Sequence, residues 1–374
     1  MRKKIALIFG GRSLESDISI ITAMQVLGNM DKTAYTVEPV FMYEGDFYVK
    51  KLDSLDAFSS FNPLEHARAM LYKGEFYIIN RNKFSKYFKP DVALICCHGG
   101  EGESGILQAV LEYNGIAHTS PSVLASACGM DKALSKQLFE GMLLNALPSE
   151  VVSKAEFEND AERTIQRLES SLSYPLIVKP STLGSSIGIT VAENHDQLEF
   201  ALQVACKFDT KILVEHKLID FVEVNCAAFR DGDKIIVSDT EQPLTLNDFL
   251  TFDDKYMSNG KMSGGGHVIP ADIGNLELIV KANTERIYRE LDLNGVVRMD
   301  YLVDKNNNKV YINEINTVPG SMAFYLFERL GIDFKTLTTK LIENAVNYQT
   351  KHRTPTKFKT DVLSKFRSGG KISK

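Results

Sequence analysis

The segment KPSTLGSSIGIT, residues 179–190, constrains the fold more than any other feature of the chain. It holds the glycines, hydroxyls and lysine that can wrap a phosphate. Yet the residues on both sides, 175–179 and 187–192, are apolar and β-branched and read as strands. A phosphate loop of the Walker type must open into a helix, and here only residues 181–186 separate one strand from the next. The unit is therefore a hairpin. Two readings fit it. One is an ordinary tight turn; the other is a flap whose backbone N–H groups close over a polyphosphate, with Lys179 as a point charge beside it.

At 374 residues the chain exceeds one typical core, which predicts two or three α/β domains. A net charge of −5 argues against nucleic-acid binding, which needs a basic footprint. Cys96, Cys97, Cys128, Cys206 and Cys226 are odd in number and show no CxxC spacing, so free thiols in a reducing cytoplasm are expected. No apolar run approaches the roughly eighteen residues of a membrane span.

Residues 4–9 form a continuous apolar run ended by Gly10-Gly11, the pattern of a strand buried on both faces. Ser13 then reads as the N-cap of a helix carrying Ile18, Ile21, Val26 and Leu27. Residues 35–43 and 91–97 are further strands, the latter leading into His98-Gly99-Gly100 and a helix with Ile106, Val110 and Leu111. Strands alternating with helices predict a doubly wound parallel sheet over residues 1–120. Residues 45–90 read as irregular, with short strands at 46–51 and 75–80. Both glycine turns lie at the carboxyl ends of strands, where open α/β sheets bind small molecules. Glu15 lies just past the first turn and His98 at the second; a helix-capping acid and a turn histidine are the plain alternatives to ligand contacts.

Residues 211–217 predict another strand, with Glu215 near its end and Glu223 beyond. Residues 296–302 (VVRMDYL) and 309–316 (KVYINEIN) predict two strands joined by a turn at 304–308. Side chains two apart share a strand face, so Arg298 pairs with Asp300, and Glu314 with Asn316. Three oxygen ligands and a guanidinium suit magnesium and a triphosphate; a salt-bridged strand pair is the competing account.

The order of these pieces resembles the D-alanine–D-alanine ligases of the ATP-grasp superfamily. The resemblance covers about residues 3–345. It rests on GGRSLE (10–15), HGGEGESG (98–105), MDK (130–132), KPSTLGSSIG (179–188), DKY (254–256), RMD (298–300) and NEINTVPG (313–320). It implies a fold that is α/β and α+β: an ATP-grasp fold with an N-terminal doubly wound parallel-sheet domain. The implied divisions are an N-terminal substrate domain at 1–122, a central lobe with the flap at 123–217, and a C-terminal lobe with the metal site at 218–348. A basic, disordered tail follows at 349–374, where eight Lys or Arg face one acid from residue 351 onward. A mobile lid is expected at 248–270.

By resemblance, Lys132, Lys179 and Ser186 bind ATP phosphates, Glu215 and the backbone after it the adenine, and Glu223 the ribose. Asp300, Glu314 and Asn316 bind two Mg²⁺ ions, for which Mn²⁺ can substitute. Glu15, Ser185, Tyr256 and Arg298 are the implied catalytic set. Glu15 takes the ammonium of the first D-alanine and connects through Ser185 to Tyr256, while Arg298 stabilises the charge on the attacked carboxylate. His98, Lys255, Gly320, Ser321 and Tyr325 are implied around the substrates. The implied reaction makes D-alanyl-D-alanine through an acyl phosphate for peptidoglycan, in a cytoplasmic homodimer that binds neither nucleic acid nor membrane. Two positions depart from the family: Ser104 stands where Asp is usual, and Tyr325 where a serine receives the second substrate's carboxylate. A ligase using D-serine, D-lactate or another small amino acid as acceptor is the alternative.

Overall fold

Strand β1 (Lys3–Gly10) opens with two exposed lysines and is apolar and buried from Ile5 to Phe9, because both faces are covered there. Ile5, Leu7 and Phe9 pack with helices Ser16–Asn29 and Phe334–Lys351, whereas Ala6 and Ile8 share the opposite core with Leu107 and Leu111. The computed structural model describes residues 2–81, 83–244 and 266–352.

Beside β1 lie β2 (Tyr35–Tyr43) on one side and β7 (Val92–Ile95), then β8 (Ala117–His118), on the other, all parallel. This is the predicted doubly wound sheet. It extends beyond β2 through β3 (Asp46–Val49), β4 (Ala67–Tyr72), β5 (Glu75–Asn80) and β6 (Lys83–Phe88), all antiparallel. Residues 45–90 are thus less irregular than expected. The edge strand β6 escaped the pattern because its first four residues face solvent and include two lysines, a usual defence of a sheet edge.

Two local expectations fail. Glu15, not Ser13, occupies the N-cap position of helix Ser16–Asn29, and Ser13 Oγ instead accepts the Glu15 N–H at 3.0 Å. The chain makes an extra turn, with Ser13 N–H on the Gly11 carbonyl and Ser16 N–H on that of Ser13, which delays the helix. In helix Ile106–Tyr113 it is Leu107 and Leu111 that face the sheet, while Ile106 and Val110 are exposed.

The second sheet runs β11–β10–β12–β9, antiparallel throughout, from β9 (Ser149–Ser153), β10 (Leu176–Pro180), β11 (Thr190–Ala192) and β12 (Lys211–His216). Leu176, Val178, Ile212 and Val214 meet Ile165, Leu168, Leu198 and Leu202 of two helices. Alternation then turns Ile177, Lys179 and Glu215 to the other face. The hairpin β10–β11 is as predicted, though its second strand begins at Thr190 rather than 187.

The third sheet has the order β15–β14–β13–β16–β17, with β13 (Val222–Asp231), β14 (Lys234–Pro243), β15 (His267–Val268), β16 (Val297–Asp304) and β17 (Lys309–Asn316). Val224, Cys226, Val297 and Met299 pack on Val280 and Ile287 of helix Leu276–Glu290. The alternate residues Asn225, Arg298 and Asp300 face away from that helix. The cysteines are free, and all but Cys128 are buried. Among the described residues no helix is long and apolar enough to cross a membrane.

Candidate active site

The free faces of the second and third sheets enclose a cavity of about 290 Å³. Lys132, Lys179, Gly184 and Ser186 line one side; Glu223, Asn225, Arg298, Asp300 and Glu314 line the other. Three cations and three carboxylates in one cavity suit a polyanion accompanied by a divalent cation.

The cations are set from behind. The Lys179 ammonium meets the Glu215 carboxylate, and Lys136 reaches the same carboxylate at 2.5 Å and the Leu147 carbonyl at 2.8 Å. Glu215 is 1% exposed. Burial alone would push its carboxyl up, but the ammonium charges of Lys179 and Lys136 outweigh it and hold the value at about 2. Two ammoniums against one carboxylate leave a net positive charge beneath the cavity. Lys132 Nζ donates to the Leu183 carbonyl at 2.6 Å and lies 3.2 Å from Glu314.

On β16, Arg298 clasps Asp300 with two parallel bonds, Nε to Oδ1 at 2.7 Å and Nη2 to Oδ2 at 2.8 Å. Burial works against the guanidinium charge, but Asp300 holds it firmly protonated. Asn316 Nδ2 donates to Asp300 Oδ2 at 2.9 Å. Asp300 pairs with Glu314 across the ladder, and the next pairing is Tyr301 with Ile312, so Asn313 is the extra residue of a bulge. The bulge frees Asn313 to accept from Lys179 at 3.3 Å. Among the described residues no cluster of three His, Cys, Asp or Glu side chains could hold a metal alone. Asp300, Glu314 and Asn316 nevertheless offer hard oxygen donors on one face, and magnesium commonly completes its shell with phosphate and water.

Above the cavity, the β10–β11 loop is tied at both flanks. Ser181 Oγ donates to Asp131 at 2.6 Å, and Thr182 binds Asp209 through its N–H (2.8 Å) and hydroxyl (2.9 Å). At its tip Ser185 and Ser186 are left-handed, with φ of 51° and 59°. The Ser185 hydroxyl donates to the Glu15 carboxylate, 170 residues away. That carboxylate is wedged between two glycines: a Cβ on Gly184 or on Gly99 would sit 2.7 Å from Glu15 Oε2. Glu15 makes no side-chain cap to its own helix, which removes the capping account of this residue.

His98 is buried with both ring nitrogens engaged: Nδ1 lies 2.7 Å from the Val318 carbonyl and Nε2 2.9 Å from Thr22 Oγ1. Burial lowers its pKa to about 4, so the ring is neutral. The Ser321 N–H donates to the same Thr22 oxygen at 3.2 Å. Ser321, Met322 and Ala323 are three successive left-handed residues, each conformation costing on the order of 1–2 kcal/mol. Tyr325 Oη donates to Glu241 at 2.9 Å.

The family model described as D-ala D-ala ligase N-terminus matches residues 4–121, and that described as D-ala D-ala ligase C-terminus matches residues 138–343. The chain belongs to the D-alanine–D-alanine ligase family. A relative from Thermosipho melanesiensis named D-alanine–D-alanine ligase is 35% identical over 351 residues, 92% of each chain. The D-alanine–D-alanine ligase structure from Helicobacter pylori superposes with TM-score 0.74 at 26% identity, covering 92% of this chain and 98% of its own. The VanG D-Ala:D-Ser ligase from Enterococcus faecalis gives TM-score 0.78 at 26% identity over 92% of this chain and all of its own. The three sheets are the ATP-grasp fold of these ligases.

Most of the family residues expected at the site meet there: Lys132, Lys179, Ser186, Glu223, Arg298, Asp300 and Glu314 line the cavity, Asn316 and Glu215 brace it, and Glu15 and Ser185 close its loop. Lys255, Tyr256 and most of the expected lid lie outside the described residues, as does the tail from residue 353. Ser104 stays away from the cavity lining. Sequence reasoning assigned nothing to Lys136, Asn225, Glu103 and Glu241. Lys136 stands one helical turn after Lys132, and Asn225 two strand residues after Glu223, so periodicity could have found both. No local signal marks Glu241.

Proposed function

We propose that this ligase couples ATP cleavage to joining two D-alanine molecules into D-alanyl-D-alanine, the dipeptide of peptidoglycan. The observation that carries the reading is the cavity between the two sheets, where Lys132, Lys179 and Arg298 face Glu223, Asp300 and Glu314.

In this reading the ATP phosphates lie against Lys132, Lys179 and the loop at Ser186. Glu215 and the backbone after it bound the adenine, and Glu223 holds the ribose. Asp300, Glu314 and Asn316 hold two Mg²⁺ ions, replaceable by Mn²⁺, whose charge offsets that of the triphosphate. Glu15 takes the ammonium of the first D-alanine. Arg298 faces its carboxylate, which attacks the terminal phosphate and becomes an acyl phosphate. Both that step and the attack of the second amine build negative charge, which Arg298 and the loop N–H groups stabilise from fixed positions. Tyr256 and Lys255 complete the cover, and Gly320, Ser321 and Tyr325 receive the second substrate. His98 fixes the Val318 backbone behind them. The enzyme acts in the cytoplasm as a homodimer, for which light scattering is the check.

Purified protein with ATP, Mg²⁺ and D-alanine alone should release phosphate and give the dipeptide mass. D-Serine, D-lactate and glycine are then offered in competition. Phosphate release with another pair but not with D-alanine alone would retain the ligase class and overturn the substrate.

A further inference from the structure

Glu241 lies outside every motif that marks the site, yet the sheet delivers it to the same face. A row crosses four strands: Glu241 on β14 pairs with Asn225 on β13, Asn225 with Asp300 on β16, and Asp300 with Glu314 on β17. Directly paired residues share a face, so Glu241 looks the way its three cavity-lining neighbours look. It is 6% exposed, and its Oε2 accepts from Asn225 Nδ2 and Tyr325 Oη, each at 2.9 Å. Among the described residues, the charged and titratable groups around the pair are Arg298 and Asp300 on β16 and His267 on β15, whose ring stacks 6.0 Å from that of Tyr325.

The donor count decides what this wall can receive. A tyrosine hydroxyl has one hydrogen, and Tyr325 spends it on Glu241. What it turns outward is a lone pair, which accepts from an ammonium and cannot donate to a carboxylate. Tyr325 is partly exposed and lies close enough to Arg298 for each to feel the other's charge. In the ligase reading Gly320, Ser321 and Tyr325 receive the second substrate, and its amine arrives with one proton too many to be a nucleophile.

We propose that Tyr325 and Glu241 form the acceptor's proton relay: the incoming ammonium gives a proton to Tyr325 Oη as Tyr325 passes its own to Glu241. The neutral amine then forms the C–N bond at the acyl-phosphate carbon, and the C–O bond to phosphate breaks. The second amine proton leaves with inorganic phosphate, and Glu241 returns its proton to solvent. This assignment rests on the ligase reading above and names the group that serves its second half-reaction.

Hydroxylamine separates the halves, because it is uncharged at neutral pH and traps an acyl phosphate as the hydroxamate without needing a base. Wild type, Glu241→Gln and Tyr325→Phe are compared with ATP, Mg²⁺ and D-alanine, with and without hydroxylamine. Both variants should lose about 100-fold in dipeptide formation, the scale of a lost general base, while hydroxamate formation stays within about threefold of wild type. Dipeptide formation within a few-fold of wild type in both variants would overturn the relay. So would parallel loss of dipeptide and hydroxamate, which would put the pair in the first half-reaction or in folding. Wild-type protein giving neither product would overturn the ligase reading itself and the relay with it.

Discussion

Glu103 accepts the N–H of Val318 at 2.9 Å, 215 residues further along the chain, and so ties the glycine turn of the first sheet to the segment that leaves the third. The same carboxylate accepts the Gly99 N–H at 2.7 Å and the Thr317 hydroxyl at 3.3 Å. Together with His98, which joins Val318 to Thr22, it fixes the Gly320–Ser321 backbone against the N-terminal sheet.

This clamp is predicted to be pH-dependent. Burial, and then the nearby Glu15 charge, raise the Glu103 pKa from 4.5 to about 7. The folded protein therefore holds a proton that the unfolded chain releases. Its contribution is full below pH 4.5 and is lost as pH rises through 7. The slope is at most about 1.4 kcal/mol per pH unit. Tm measured from about pH 4.5 to about 7.5 should show the decline, and Glu103→Gln should flatten it; an unchanged slope in the variant would assign the pH dependence elsewhere.

Arg298→Ala is expected to lower turnover by about 10²–10³, the usual effect of removing one preplaced charge donor. Nucleotide affinity should stay within about tenfold, since that charge matters most in the transition state. Steady-state rates and equilibrium ATP titration, run side by side, read both quantities. Near-normal turnover would remove Arg298 from the chemistry.

Lys136→Met should act without touching the cavity lining. Glu215 would then neutralise Lys179 alone, so ATP affinity should fall by about tenfold or more, one pair's worth of charge near a surface of intermediate dielectric. Breaking a buried ion pair also costs about 3–5 kcal/mol of stability. Urea unfolding and ATP titration measure the two effects, and unchanged affinity would show that Lys179 is not set by this cluster.

Gly184→Ala places a Cβ 2.7 Å from Glu15 Oε2, so the Glu15 carboxylate must swing out of its place. The Ser185–Glu15 bond should break, and KM for D-alanine should rise more than KM for ATP. In wild type, ATP with Mg²⁺ should protect the 181–189 loop from protease; the variant should lose that protection. Equal cleavage in both would mean that the loop does not close on nucleotide.

The sequence by itself determined what depends on local periodicity. The alternation around Arg298 and Asp300 put both on one face, and the continuous run at 4–9 announced a strand covered on two sides. The shortness of the 181–186 turn was enough to decide hairpin over helix, because so few residues cannot hold a helix between two strands. Residue types in that order also carried the family resemblance, and with it most of the site.

Only the tertiary structure decided what long-range pairing brings together. By local pattern Glu15 could be a helix-capping acid or a ligand contact; its carboxylate is wedged against Gly99 and Gly184 because two distant loops meet there. Lys136 could count only once Glu215 was buried beneath it. Glu241 gained a role through strand register, which aligns four residues from four strands into one row. Register and the meeting of distant loops are set by the summed burial of four cores rather than by any short window, so no stretch of sequence states them on its own.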